Sequence, residues 1–310
     1  MHLLPSQVQT FDGFISYAVF VDRGTFSALR NLSLYWTCTS ARKRLSIQVV
    51  WEKSPFDDRC VTPKEFEILE GECNNYTAKK ALPRWSSPVI LYPINALRNA
   101  ARRGAETKLH IVADVENIFT PNFTQMVKNE TDKMLNSTER YVLIYRRFEI
   151  SAKSARPKNT GELRSLLRAY KAQTFHAKVF PRGHTIPRLR EWMEYSINNN
   201  SVVSWPVNYT RKSWEPQFIM PADAPYHFDR MPTRIYDHQV LVQELCRAGY
   251  KFRLLTHVFN THSGMKTSMS NLELAVKSSG KFRVREAERE FNKYLDEKYP
   301  TSKNSCPKGY

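Results

Sequence analysis

Leu109-His110-Ile111-Val112-Ala113-Asp114-Val115-Glu116 is the stretch on which the reading of the chain turns. The apolar run from Leu109 to Ala113 predicts a short buried strand, which carries two carboxylates, Asp114 and Glu116, at its C-terminal end. In open α/β sheets, ligands bind off the carboxyl ends of strands. Oxygen ligands at i and i+2 suit a hard divalent cation, and such a cation neutralises a diphosphate. Taken alone, the same two acids are also compatible with solvated side chains opening a loop.

Outward from this strand, strand-like and helical runs alternate. Short β-branched and aromatic runs predict strands at 14–21, 45–51 and 141–150, and apolar spacing near 3.6 predicts helices at 25–36, 94–103 and 122–135. Gly104 is expected to close the second of these helices as a left-handed cap. The order predicts an α/β fold with a mostly parallel central sheet flanked by helices. Beyond residue 150, helices are expected at 160–173 (Leu163, Leu166, Leu167 and Tyr170 on one face), 187–196, from His238 to a cap at Gly249, and 284–299. Strands are expected at 218–220 and 253–259. No linker-like composition separates the halves, so a single domain over 1–310 is expected.

The composition narrows the function. In 310 residues, 41 % hydrophobic and 12 % aromatic, there is enough apolar surface for a core, which excludes disorder, collagen and coiled coil. The longest apolar run, 14–21, is far short of a bilayer span, and Pro5, Gln7 and Gln9 interrupt any secretory signal after Met1. The net charge of +17 is dispersed, with no zinc-finger, RNP or helix-turn-helix pattern, so no nucleic-acid partner is expected. Seven Asn-x-Ser/Thr sequons, at Asn31, Asn75, Asn122, Asn129, Asn136, Asn199 and Asn208, exceed the roughly three expected by chance and favour a secretory lumen. On that reading the targeting segment is expected outside this sequence. Of the five cysteines, Cys60 and Cys73 bracket a polar loop and are candidates for a disulfide, and the odd number leaves one thiol over.

Two further stretches carry chemistry. His262-Ser263-Gly264-Met265-Lys266 follows an apolar strand; its imidazole suits a metal and its lysine a phosphate. On the helix after Tyr92-Pro93, residues Asn95, Arg98, Asn99 and Arg102 share one face, fit either for a base, ribose or phosphate or for solvent. His184 and His257 read as loop histidines without a role.

Taken together, Tyr-Pro-x-Asn-x-Leu-Arg-Asn-x-Ala from Tyr92 and the strand ending at Asp114-Val115-Glu116 resemble glycosyltransferase family 49. Phe11-Asp12-Gly13-Phe14, Phe148-Glu149, Trp214-Glu215-Pro216, Glu244-Leu245 with Gly249-Tyr250-Lys251-Phe252, and His262-x-Gly-x-Lys266 resemble further blocks of that family, closest to its glucuronyltransferase branch. The resemblance implies a GT-A type nucleotide-sugar transferase fold, with a nucleotide-sugar half at 11–150 and an acceptor half at 151–310. It also implies a UDP-sugar donor, UDP-glucuronate on the closest branch, a glycan or glycoprotein acceptor, Mn²⁺, and inversion at the anomeric carbon. By position, Asp114, Glu116 and His262 stand as metal ligands. Asn95, Arg98 and Asn99 stand on the nucleotide side, and Lys266 near the diphosphate. Asp237 is the candidate base, with Asp229 and Glu149 behind it. The Golgi lumen is the implied compartment, with membrane attachment only through an anchor this sequence does not contain. A relative that binds a glycan or a partner without turnover is the alternative. Three departures stand out: Glu116 in place of the second Asp, Arg147 in place of a small residue before Phe148-Glu149, and Thr233-Arg234-Ile235-Tyr236 where the family often has Gly-Tyr-Gly before the Asp237 position.

Overall fold

The computed structural model describes residues 2–22, 25, 27–53, 56, 73 and 92–307. Along the chain run α1 (Leu4–Thr10), β1 (Ile15–Val21), α2 (Ser27–Cys38), β2 (Leu45–Trp51), α3 (Ile94–Arg103), β3 (Leu109–Ile111), β4 (Asn117–Phe119), α4 (Phe123–Leu135) and β5 (Tyr141–Ile150). There follow α5 (Thr160–Arg168), β6 (Ala172–Thr174), α6 (Pro181–His184), α7 (Leu189–Asn198), β7 (Ser204–Val207), β8 (Gln217–Pro221), α8 (Gln239–Arg247), β9 (Lys251–Ser263) and α9 (Asn271–Lys298).

The strands form two sheets. β1 and β2 pair in parallel, from Ile15 opposite Leu45 to Val21 opposite Trp51, over a cluster that includes Leu4, Val8, Leu29 and Leu32. The remaining seven strands form one sheet in the order β3-β8-β5-β9-β4, with β6 on β5 and β7 on β9. In this sheet only β5 and β9 run parallel; each of the other pairings is antiparallel. The expected α/β class holds, and the mostly parallel sheet does not: the main sheet is mixed. Apolar runs reveal where strands lie but not their direction, and β8 comes back from the second half of the chain to run against both β3 and β5.

β5 is the strand that positions the site. Val142, Leu143, Ile144, Tyr145, Phe148 and Ile150 are buried, as befits a strand covered on both faces. Arg146 and Arg147 interrupt this run and, by strand alternation, point to opposite faces. Arg146 donates to the carbonyls of Ile186 and Pro187 and lies over the Trp192 ring. At β5 the partner strand β9 bulges between Leu254 and Phe259, where His257 takes a positive φ of 65° and donates its backbone N–H to Ser196. His257 is thus a buried structural histidine.

Several local expectations change. Gly104 has φ −84°, so no left-handed cap forms; a Cβ there would lie 2.0 Å from the Gln48 amide, and close approach is the reason for glycine. The helix expected at 160–173 stops at Arg168 because Tyr170 turns to φ 55°, and Ala172–Thr174 pairs with β5 instead. Tyr170 is exposed. α9 begins at Asn271, well before 284, on a capping box in which Ser270 accepts from the Glu273 N–H and Glu273 accepts from the Ser270 N–H.

Disulfides join Cys38 to Cys73 and Cys246 to Cys306. Cys73 therefore does not pair with Cys60, which lies outside the described residues, as does Asn75. Asn31, Asn122, Asn129, Asn136, Asn199 and Asn208 are exposed. Among the described residues, no helix is long and apolar enough to cross a membrane.

Candidate active site

A cavity of about 1300 Å³ opens beside the C-terminal end of β3, lined by residues from both the 11–150 and the 151–310 parts of the sequence. Asp114, Glu116, His262, Lys266, Arg98, Glu149 and Asp237 all line it. The β3–β4 loop presents Asp114 and Glu116, and the pairing of Asn117 opposite His262 brings the end of β9 alongside. His262 Nε2 lies 3.6 Å from Glu116 Oε1, a contact that raises the imidazole above its ordinary value. Asp114 Oδ2 lies 3.4 Å from Arg147 Nη2. Burial works to raise the Asp114 carboxyl, and the charges of Arg147 and Arg98 outweigh it, holding the group below the usual carboxylate range.

Glu149 is fully buried and accepts three hydrogen bonds: from Gln173 Nε2 (2.7 Å), the His176 N–H (3.2 Å) and the Lys266 N–H (2.9 Å). It thereby fixes the backbone of the Lys266 loop, whose ammonium pairs with Glu273 at the start of α9. Asp237 accepts from the Arg234 N–H at 2.8 Å and lies 3.6 Å from Arg98 Nη1. Arg234 and Tyr236 both take positive φ, 65° and 55°. The loop takes these left-handed turns without glycine, the residue that adopts them freely.

The polar face of α3 divides. Arg98 reaches the cavity, whereas Asn95 and Asn99, each 1 % exposed, lie off it. Asn95 donates to the Phe228 carbonyl, and Asn99 donates to the His227 carbonyl and to Asp229 while accepting from the His227 N–H. Arg102 adds bonds to the carbonyls of Ala222, Ala224 and Pro225. This face grips the loop 222–229. Asp229, bound to Asn99, is likewise outside the cavity lining.

The sequence of the matching family's profile, described as "Glycosyl-transferase for dystroglycan", aligns with residues 1–300. The chain belongs to glycosyltransferase family 49. Its relatives include beta-1,4-glucuronyltransferase 1 of Danio rerio, 25 % identical over 219 residues that make up 70 % of this chain and 50 % of the relative. The Homo sapiens protein of the same name is 24 % identical over 328 residues, 98 % of this chain and 74 % of the relative. Xylosyl- and glucuronyltransferase LARGE2 of Mus musculus is 26 % identical over 174 residues, 56 % of this chain and 24 % of the relative. The chain thus spans half the length of the zebrafish relative and about a quarter of the mouse one.

Within this family-49 cavity, two side chains that sequence reasoning passed over stand close together. Glu215 Oε1 lies 2.7 Å from His184 Nε2, and that nitrogen is also 3.1 Å from His176 Nδ1. Burial pushes the Glu215 carboxyl up to about 7 and the His184 imidazole down to about 3, so the pair is neutral in mildly acidic solution. A hydrogen bond from the Glu215 N–H to the Gly183 carbonyl brings them together across 31 residues of sequence. Trp214-Glu215-Pro216 was a signal for the family, but nothing local marked His184.

The oxygen and imidazole donors of Asp114, Glu116 and His262 suit Mn²⁺ chemically. Their arrangement does not gather around one point: Glu116 pairs with His262, while Asp114 faces the guanidinium of Arg147. Among the described residues, no group of three or more His, Cys, Asp or Glu side chains is placed to hold a metal ion.

Proposed function

We propose that the chain transfers glucuronate from UDP-glucuronate to a hydroxyl of a glycan acceptor, with inversion. The observation that carries this reading is the convergence of Asp114, Arg98, Lys266, Asp237 and Glu215 on one cavity in a chain of this family. The donor follows the names of the curated glucuronyltransferases in the family. In the reaction, the acceptor oxygen bonds to the anomeric carbon as the bond from that carbon to the β-phosphate oxygen breaks. The electron pair leaves with the diphosphate, and the acceptor proton passes to a carboxylate.

Two carboxylates of the cavity suit that proton. Asp237 is held toward the cavity by the Arg234 N–H. Glu215, raised to about 7, is matched to proton transfer near neutrality and is backed by His184. Glu149 spends both oxygens on structure. Charge developing on the diphosphate calls for cations beside Asp114. The two disulfides and the exposed sequons support a secretory, Golgi-lumen location. A second reading, a glycan-binding relative without turnover, draws on the engagement of Asp114 by Arg147.

The test is a melting-temperature comparison of UDP-glucuronate, UDP-xylose, UDP-N-acetylglucosamine and UDP, since a ligand of the native state alone raises its stability. The reading expects UDP-glucuronate to give the largest shift, and acceptor-dependent UDP release to follow. No shift with any nucleotide removes it.

A further inference from the structure

The same cavity supplies a cation of its own where the resemblance implied a metal. Arg147 leaves β5 toward Asp114, its side chain only 9 % exposed. Its guanidinium lies 3.7 Å from the centroid of the Phe175 ring, which in turn stacks on His176 at 4.0 Å. The backbone closes the platform: the Phe175 N–H donates to the Arg147 carbonyl. The guanidinium is therefore buried, flat and held in orientation, yet sparingly bonded. Among the described residues its one ion pair, to Asp114, is a long 3.4 Å, and its Nε is buried without a hydrogen-bond partner. Two other cations of the cavity have closer partners: Lys266 pairs with Glu273, and Arg98 donates to Asn95 at 3.0 Å.

We propose that Arg147 takes the place of the divalent cation at Asp114, so that the chain binds the diphosphate of its donor without a metal. The proposal rests on the transferase reading above. A planar guanidinium offers two parallel N–H donors to phosphate oxygens, a geometry an ammonium lacks. A divalent ion bound at Asp114 would sit against this fixed positive charge, whereas a diphosphate would satisfy it. In the transfer, Arg147 would meet the negative charge that the breaking bond leaves on the diphosphate.

UDP binding to the full chain, measured by calorimetry in excess EDTA and again in Mn²⁺, tests this. The expected result is saturable UDP binding in EDTA, strengthened less than about threefold by Mn²⁺, and a loss of at least tenfold in that affinity in Arg147→Ala. Arg147→Met keeps the aliphatic stem on Phe175 and serves if Arg147→Ala does not fold. UDP binding that requires Mn²⁺ overturns the proposal while leaving the transferase reading intact. So does affinity in EDTA that is unchanged in both variants. UDP that binds in neither condition overturns both.

Discussion

Glu149→Gln separates a positioning role from a catalytic one. In the native cavity wall, Glu149 Oε1 accepts from the His176 N–H, and Oε2 accepts from Gln173 Nε2 and the Lys266 N–H. A glutamine has one acceptor oxygen. With its carbonyl in the Oε2 position it keeps two bonds and turns an NH₂ toward the His176 N–H, donor against donor. One charge-assisted bond is lost and one buried N–H is left unsatisfied, at a cost of about 3 kcal/mol. For a chain of this size, roughly 2 °C per kcal/mol gives a fall of about 6 °C in melting temperature. The His176 segment of the cavity wall loosens with it, and the Lys266 N–H is left with a neutral acceptor, so KM for the donor rises together with the loss of stability. Scanning calorimetry and donor-saturation kinetics read both. Unchanged stability and KM with kcat reduced a thousandfold would refute the reasoning and return Glu149 to the role of base.

Other outcomes follow from the same contacts. Arg234→Gly and Arg234→Ala both lose the ion pair to Glu273, but only glycine relieves the φ of 65°, so the glycine variant should be more stable in urea by about 1 kcal/mol; equal stabilities would refute strain at this turn. Cys246→Ser opens a loop closed across 60 residues and should cost roughly 4 kcal/mol of unfolding free energy; an unchanged denaturation midpoint would count against the pairing with Cys306. Because burial raises Glu215 from 4.5 to about 7, its contribution is complete below pH 4.5 and fades as pH rises through 7. The stability of the wild type relative to Glu215→Gln should therefore fall by on the order of 3 kcal/mol across that window, and a flat difference would contradict the burial argument.

What the sequence revealed, and what it hid, divides along physical lines. Short apolar runs located β1, β2, β5 and β8, and the carboxylates after β3 did come to line a cavity. Strand direction, and with it the mixed sheet, depends on contacts between residues far apart in sequence, which no local window contains. The α3 face shows the same limit: an Asn/Arg stripe reads identically whether it meets a ligand or a backbone loop 120 to 133 residues away. His184 and Glu215 become a pair only through the fold. At Arg146 and Arg147, alternation guaranteed opposite faces without saying which one met the cavity. The start of α9 differs: Ser270-x-x-Glu273 is a capping-box spacing present in the sequence, and the expected start at 284 passed over it.

The most direct test of the central claim is UDP release from UDP-glucuronate in the presence of a panel of oligosaccharide acceptors, compared between the wild type and Asp237→Asn/Glu215→Gln. Acceptor-dependent release in the wild type, reduced at least a hundredfold in the double variant, is the predicted result. Release that is absent with every acceptor, or that persists unchanged in the double variant, would contradict the assignment of this cavity as the place of sugar transfer.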